Sequence, residues 1–246
     1  MGSVFLEAIQ SFWDIFKSFV FYQQMVFRLV WRGGLSPDFA SVMAIKGQIR
    51  RDEAHCLYEL AQEASGEEVI VEIGSYCGLS TMALAKGSSR NRGVPVFAID
   101  PHEYVDPGGS VERGRWDYVP QDNIAFFKNV LFSGMAKNVR PINLLSWAAA
   151  AAWDRPISLL WIDGNHGYEA ARRDFVDWSK FVIQGGYIAF HDSIDPADGP
   201  YQVVQEALQE GSFEFVRRAE KVTVLCKRRL SSGTEMPKRR SIERTG

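Results

Sequence analysis

Apolar residues recur along this chain with two periods. Short β-branched or aromatic runs at 69–73, 96–99, 157–162 and 187–190 are apolar but for Glu72 and Ser158, the pattern of strands buried on both faces of a parallel sheet. Between them, apolar positions fall three and four apart. Ile124, Phe127, Val130 and Leu131 mark a helix opened by Asp122 and closed by Gly134. Tyr168, Ala171, Phe175, Trp178 and Val182 mark another, stopped by Gly185-Gly186. Pro200 opens a third, with Val203, Val204, Ala207 and Leu208 inside and Gly211 beyond its end. A strand at 139–144 contains Pro141 and belongs at a sheet edge. The runs at 213–216 and 222–226 are too close in sequence for a parallel crossover, so they pair as an antiparallel hairpin. These elements predict an α/β fold: a doubly wound, mainly parallel seven-stranded sheet with a reversed last strand.

Two helical segments precede the sheet. In residues 4–31, Phe5, Ile9, Phe12, Phe16 and Phe19 recur at helical spacing, with Trp13, Val20 and Phe27 widening the stripe. Glu7, Asp14, Lys17 and Arg28 interrupt it, so it is too charged to span a membrane. It reads as a helix packed on the domain or on a second subunit. Contact with a membrane surface is less favoured, because Lys and Arg are few. Arg32-Gly33-Gly34-Leu35-Ser36-Pro37 marks a hinge. A second helix over 46–64 puts Ile49, Glu53, Cys56, Leu57, Leu60 and Ala64 near one face. The domain plan is a helical extension at 1–45, a ligand-binding domain at 46–227 and a polar, basic, disordered tail at 228–246. Residues 101–120, rich in glycine and aromatic side chains, read as a long loop and a candidate acceptor lid.

Composition narrows the setting. The 246 residues are 46% hydrophobic and 24% charged, ordinary for a globular chain, and the net charge of -2 carries no footprint for nucleic acid. Cys56, Cys77 and Cys226 lack metal-ligand spacing and are odd in number, which fits a reducing cytoplasm better than a disulfide framework. The aromatic N-terminal stripe makes homo-oligomerisation the expectation.

The chemistry gathers around Glu68-Val-Ile-Val-Glu72-Ile-Gly74-Ser75-Tyr76-Cys77-Gly78-Leu-Ser80-Thr81, a strand, a glycine-bracketed turn and a helix start. Gly74 and Gly78 let the backbone bend and a ligand approach, and free N–H groups at the helix start offer donors to an anionic group. A dinucleotide fingerprint would need a glycine where Tyr76 and Cys77 stand, so a smaller ligand is expected. The stretch resembles the first motif of class I S-adenosylmethionine-dependent methyltransferases, and its Gly-Ser-Tyr-Cys-Gly wording is similar to catechol-type O-methyltransferases. Val96-Phe-Ala-Ile-Asp100, a second strand ending in an acid, strengthens the likeness. The resemblance implies a Rossmann-like methyltransferase fold. It sets Glu72, Gly74, Ser75 and Tyr76 around the methionine part of the cofactor, Gly78, Ser80 and Thr81 among the other cofactor-binding residues, Asp100 on the ribose, and Ser146 and Trp147 near the adenine. A plain N-cap and a core tryptophan explain the last two almost as well.

Two further strands end in acid-bearing turns, Ile162-Asp163-Gly-Asn-His166 and Phe190-His191-Asp192-Ser193. On a parallel sheet these share the carboxyl edge with Gly74 and Asp100, where such sheets bind ligands. They resemble the motifs of sugar and antibiotic O-methyltransferases of the macrocin and cephalosporin-hydroxylase-like group. That likeness places Asp163, His191 and Asp192 as metal ligands, with Asp163 also beside the cofactor. His166 and His191 are the candidate bases. His191 stands where an acid is usual, which moves the balance from Mg²⁺ toward Mn²⁺, another transition ion or no metal. Tyr168 and Asp174 read as structural, through helix packing and a solvated face. The expected activity is methyl transfer to a hydroxyl of a small molecule, of sugar or natural-product type. A nicotinamide-dependent oxidoreductase and a non-catalytic cofactor-binding scaffold remain as alternatives.

Overall fold

The computed structural model describes residues 2–64, 66–102 and 121–229; the expected lid over 103–120 and the tail from 230 lie outside the described residues. One seven-stranded sheet organises it, in the order β3-β2-β1-β4-β5-β7-β6. The strands are β1 Val69–Ile73, β2 Val96–Ile99, β3 Val139–Ile142, β4 Ile157–Ile162, β5 Val182–Phe190, β6 Phe213–Ala219 and β7 Val222–Lys227. β1 to β5 pair in parallel, and β7 runs antiparallel to both β5 and β6. The doubly wound, mainly parallel sheet with a reversed last strand is therefore present, and β3 with Pro141 sits at its edge as the proline requires.

Alternation along β1 assigns the faces. Val69, Val71 and Ile73 pack with α6 (Ser146–Ala151), α7 (Tyr168–Ser179) and α8 (Gly199–Gln209). Ile70 faces the opposite layer, α2 (Pro37–Met43), α3 (Arg51–Glu63), α4 (Leu79–Ser89) and α5 (Gln121–Phe132). Every residue of β1 and β4 is buried, which accounts for runs that are apolar except at Glu72 and Ser158. α3 lies so close on α4 that a Cβ at Gly87 would stand 2.1 Å from the Tyr58 carbonyl oxygen.

α1 (Gly2–Trp31) is one continuous helix. Its C-terminal half packs through Tyr22, Val26, Leu29 and Val30, and the Tyr22 hydroxyl donates to the Ser41 carbonyl at 3.0 Å. Phe12, Trp13, Phe16 and Phe27 are exposed, and the Phe5 side chain lies outside the described residues. Among the described residues no helix is long and apolar enough to cross a membrane.

Local boundaries differ in instructive places. The short α2 escapes a search for long periodic stretches, yet Ser36 caps it, accepting from the Phe39 N–H, and Pro37 opens it. Asp122 lies within the first turn of α5 rather than before it. Gly185-Gly186 does not stop α7. The helix ends at Ser179, and β5 starts at Val182 and runs through the glycines, where the register with β4 slips and Gly185 takes φ +81°.

Substituting Gly87→Ala should lower stability by about 1–3 kcal/mol, overpacking outweighing the helix-propensity gain. Urea unfolding monitored by circular dichroism measures it; an unchanged midpoint would contradict the close α3–α4 approach.

Candidate active site

The sheet ladder continues one residue past each central strand. Gly74 N–H donates to Ile99 O at 2.9 Å, Asp100 N–H to Ile142 O at 3.1 Å, Asp163 N–H to Ile73 O at 2.9 Å and His191 N–H to Ile162 O at 3.0 Å. The predicted residues at the strand ends are thereby held along one edge. Gly74 takes φ +85°, and a Cβ there would stand 2.1 Å from the Asp163 carbonyl oxygen; Gly78 takes φ +91° beside Phe126. Both glycines are thus required by the backbone itself, before any ligand is considered.

Asp100 holds the glycine turn. Its Oδ2 accepts the N–H groups of Ser75 and Tyr76 at 2.9 and 2.8 Å, and its Oδ1 accepts that of His102 at 2.8 Å. Below the turn, Glu72 is fully buried and accepts from the Thr81 hydroxyl. Burial, with Asp163 and Asp100 adding repulsion, pushes its carboxyl up to about 8 against the pull of the Ser80 and Thr81 hydroxyls. Glu72 Oε1 and Ser75 Oγ are buried without a hydrogen-bond partner. Unsatisfied buried oxygens beside a glycine turn fit a polar ligand with donors to offer.

Ser146 and Trp147 open α6, the helix that follows β3. Leu145 is the N-cap of α6, and the Ser146 hydroxyl donates to Asp174. Trp147 is half exposed, with the Arg173 guanidinium 4.8 Å from its ring centre. Asp174 is not on a solvated face: it is buried, its carboxyl pushed up to about 6 by that burial, and its Oδ2 would lie 3.1 Å from a Cβ at Gly164.

The acidic turns of β4 and β5 meet. His191 Nδ1 lies 3.0 Å from Asp163 Oδ1 and 3.5 Å from Asp192 Oδ2. His166 lies between the same acids, Nε2 3.5 Å from Asp163 Oδ1 and Nδ1 3.1 Å from Asp192 Oδ2. Burial disfavours charge on His191, but Asp163, Glu53 and Asp192 overcome it and raise its pKa to about 10. His191 is therefore a cation at neutral pH and a poor base. His166, more accessible, is raised above its ordinary value by Asp163 against partial desolvation. Asp163, His166 and His191 each bring a donor atom within 4.8 Å of the others, and neither ring nitrogen of His191 makes an aligned hydrogen bond. The cluster fits a metal cation that accepts nitrogen and oxygen ligands, provided the ion displaces the proton of His191. His166 joins Asp163 and His191 in this set, while Asp192 faces both histidines through Oδ2 and is held by Lys221 Nζ at 2.7 Å through Oδ1.

Two participants were missed from the sequence. Glu53, wholly buried, places Oε2 3.5 Å from His191 Nε2, accepts the Arg50 N–H, and with Oε1 accepts the Lys221 N–H at 3.1 Å. A carboxylate on the apolar face of α3 was the available signal. Lys221 gave none, because only folding of the β6–β7 turn brings it to Asp192.

The model of a family described as a methyltransferase domain matches residues 71–193, half of the chain. Solved structures share the fold at low identity. A protein from Corynebacterium glutamicum is 12% identical with a TM-score of 0.60, over 81% of this chain and 93% of that one. An O-methyltransferase from Bacillus cereus in complex with SAH is 14% identical at 0.57, over 85% and 99%. The O-methyltransferase TomG from Streptomyces achromogenes, in complex with SAM, is 15% identical at 0.53, over 74% and 82%.

Two outcomes follow for the buried carboxylates. Because the folded pKa of Glu72 is raised, its contribution to stability is complete below the unfolded value of 4.5 and is lost as pH rises toward about 8. Glu72→Gln should therefore gain melting temperature relative to the parent at pH 8 and less at pH 5, read by calorimetric scans at both. Glu53→Gln should melt lower at pH 7, by the equivalent of about 1–3 kcal/mol, because the His191 charge loses a partner.

Proposed function

The chain belongs to the methyltransferase-domain family that matches residues 71–193, and on that premise we propose that it transfers a methyl group from S-adenosylmethionine to a hydroxyl of a small molecule. The observation that carries the reading is His166, partly accessible between Asp163 and Asp192 on the edge that also bears the glycine turn. The cofactor, when bound, supplies an electrophilic methyl on a sulfonium. Glu72, Ser75, Tyr76, Ser80 and Thr81 surround the bend of Gly74 and Gly78 and would hold its methionine end. Asp100 fixes the turn and would stand beside the ribose. Ser146 and Trp147 would border the adenine.

Transfer to oxygen is an in-line displacement, and a neutral hydroxyl is a weak nucleophile. His166 removes the proton as it develops, with Asp163 and Asp192 orienting the imidazole and stabilising its charged form. Charged His191, anchored by Glu53, stands against both acids and holds them in place, and Lys221 grips Asp192 from the other side. A metal-assisted variant is favoured by one observation, the three converging donors of Asp163, His166 and His191. A divalent ion there would lower the pKa of the acceptor hydroxyl, and the mixed donors suit Mn²⁺ better than Mg²⁺. Sugar and natural-product hydroxyls are the acceptor class proposed.

Titration calorimetry should detect S-adenosylhomocysteine and not NAD, and absent S-adenosylhomocysteine binding would overturn the proposal. With His166 as base, activity requires its neutral form. kcat/KM should therefore rise with pH through a value above the ordinary 6.5. His166→Gln should remove that limb and cost about 10²–10⁴ in rate while leaving cofactor binding intact. Turnover abolished by chelator and restored by Mn²⁺ would select the metal-assisted variant.

A further inference from the structure

The site accounts for the carboxyl edge of the sheet but not for α1. Beyond Gln10, the helix carries a second apolar face, turned away from the one that packs on the domain. Tyr22, Val26 and Leu29 face inward, while Ile9, Trp13, Phe16, Val20, Gln23 and Phe27 follow one another at alternating spacings of four and three residues. That is the spacing of a helix seam, in which each side chain enters a gap on a facing helix. Apart from Gln23 the seam is apolar, and its residues are exposed, Phe27 at 62%, Trp13 at 49% and Phe16 at 47%. Phe12 and Trp31 widen it, at 64% and 75% exposure. The exposed rings already cluster within the helix, Trp13 on Phe16 at 5.8 Å and Phe27 on Trp31 at 5.7 Å.

We infer that this seam is a self-association surface, on which α1 of a second copy packs antiparallel across a two-fold axis near Val20. The arrangement of residues about Val20 gives the orientation. Trp13 and Phe27 are equally far from it in sequence, as are Ile9 and Trp31. An antiparallel partner therefore sets each aromatic cluster against the other, and Val20 meets its own counterpart. Charge agrees: Glu7 and Asp14 lie in the first half of the helix, Arg28 and Arg32 at its end, so antiparallel copies bring unlike ends together and parallel copies like ones. The seven side chains offer roughly 100 Å² each, on the order of 1,400 Å² across both copies, the size of a stable interface. A membrane surface fits worse. Glu7 and Asp14 stand against Lys17, Arg28 and Arg32, an excess of a single base, well short of the basic face that anionic lipid selects. The inference does not depend on the reaction proposed above.

Light scattering after size-exclusion chromatography of the full chain should give twice the chain mass at micromolar concentration. Trp13→Glu with Phe16→Glu should give the single mass, with the melting temperature of the sheet domain and S-adenosylhomocysteine binding retained. For orientation, Val20→Cys should cross-link to itself under mild oxidation. Trp13→Cys should cross-link when mixed with Phe27→Cys but not alone. A monomeric parent chain, whether or not vesicles of phosphatidylglycerol and phosphatidylcholine capture it, would overturn the inference. So would a double variant that remains a dimer with its fold intact, or Trp13→Cys cross-linking to itself, which would mean a parallel pair.

Discussion

The carboxyl edge of this sheet is held by hydrogen bonds that outlast the strands. Gly74, Asp100, Asp163 and His191 each donate their N–H to the last ladder carbonyl of a neighbouring strand. Side chains that are far apart in sequence therefore leave the sheet at a common level. A one-residue slip in any pairing would move its side chains to the opposite face of the sheet. Gly74 shows how closely the turns are drawn together, since its α-carbon leaves no room for a methyl group beside the Asp163 carbonyl.

On that frame the electrostatics organise themselves. Three carboxylates, Asp163, Asp192 and Glu53, face two imidazoles and one ammonium in a region largely closed to solvent. Burial and neighbouring carboxylates both raise a carboxyl pKa, burial foremost at Glu72, which has no cation beside it. Here, although burial works against both acids, Lys221 and then His191 hold Asp192 below its ordinary value, and His191 with two backbone N–H groups does the same for Glu53. The same edge thus keeps one neutral acid under the glycine turn and ionised ones a strand or two away, each fixed by its neighbours.

Much of this was legible in the sequence, because apolar runs and terminal acids are local signals. Asp100, Asp163, His191 and Asp192 could each be read as strand-end residues, and the sheet rule brought them to one edge. What escaped depends on tertiary contact. Glu53 was seen on the inner face of α3, but nothing local said that His191 waits there. The glycine pair at 185–186 looked like a helix stop because bulges and stops draw on the same residue. Asp174 was read as solvated, since its neighbours Arg172, Arg173 and Asp177 are charged, yet it turns inward to Ser146.

The reversal of β7 has its own consequence. The parallel strands arrive at the carboxyl edge by their ends, but β7 arrives by its beginning, so the turn from β6 is the one hairpin among the described residues that reaches the acidic cluster. Lys221 sits in that turn, with its backbone N–H on Glu53 and its ammonium on Asp192. Most loops that join a helix to its next strand lie on the far side of such a sheet and can vary in length at little expense to the site. This hairpin has no such licence: a residue gained or lost there would drag the ammonium along the rim and reset the polarity of the crevice from the side opposite the motifs.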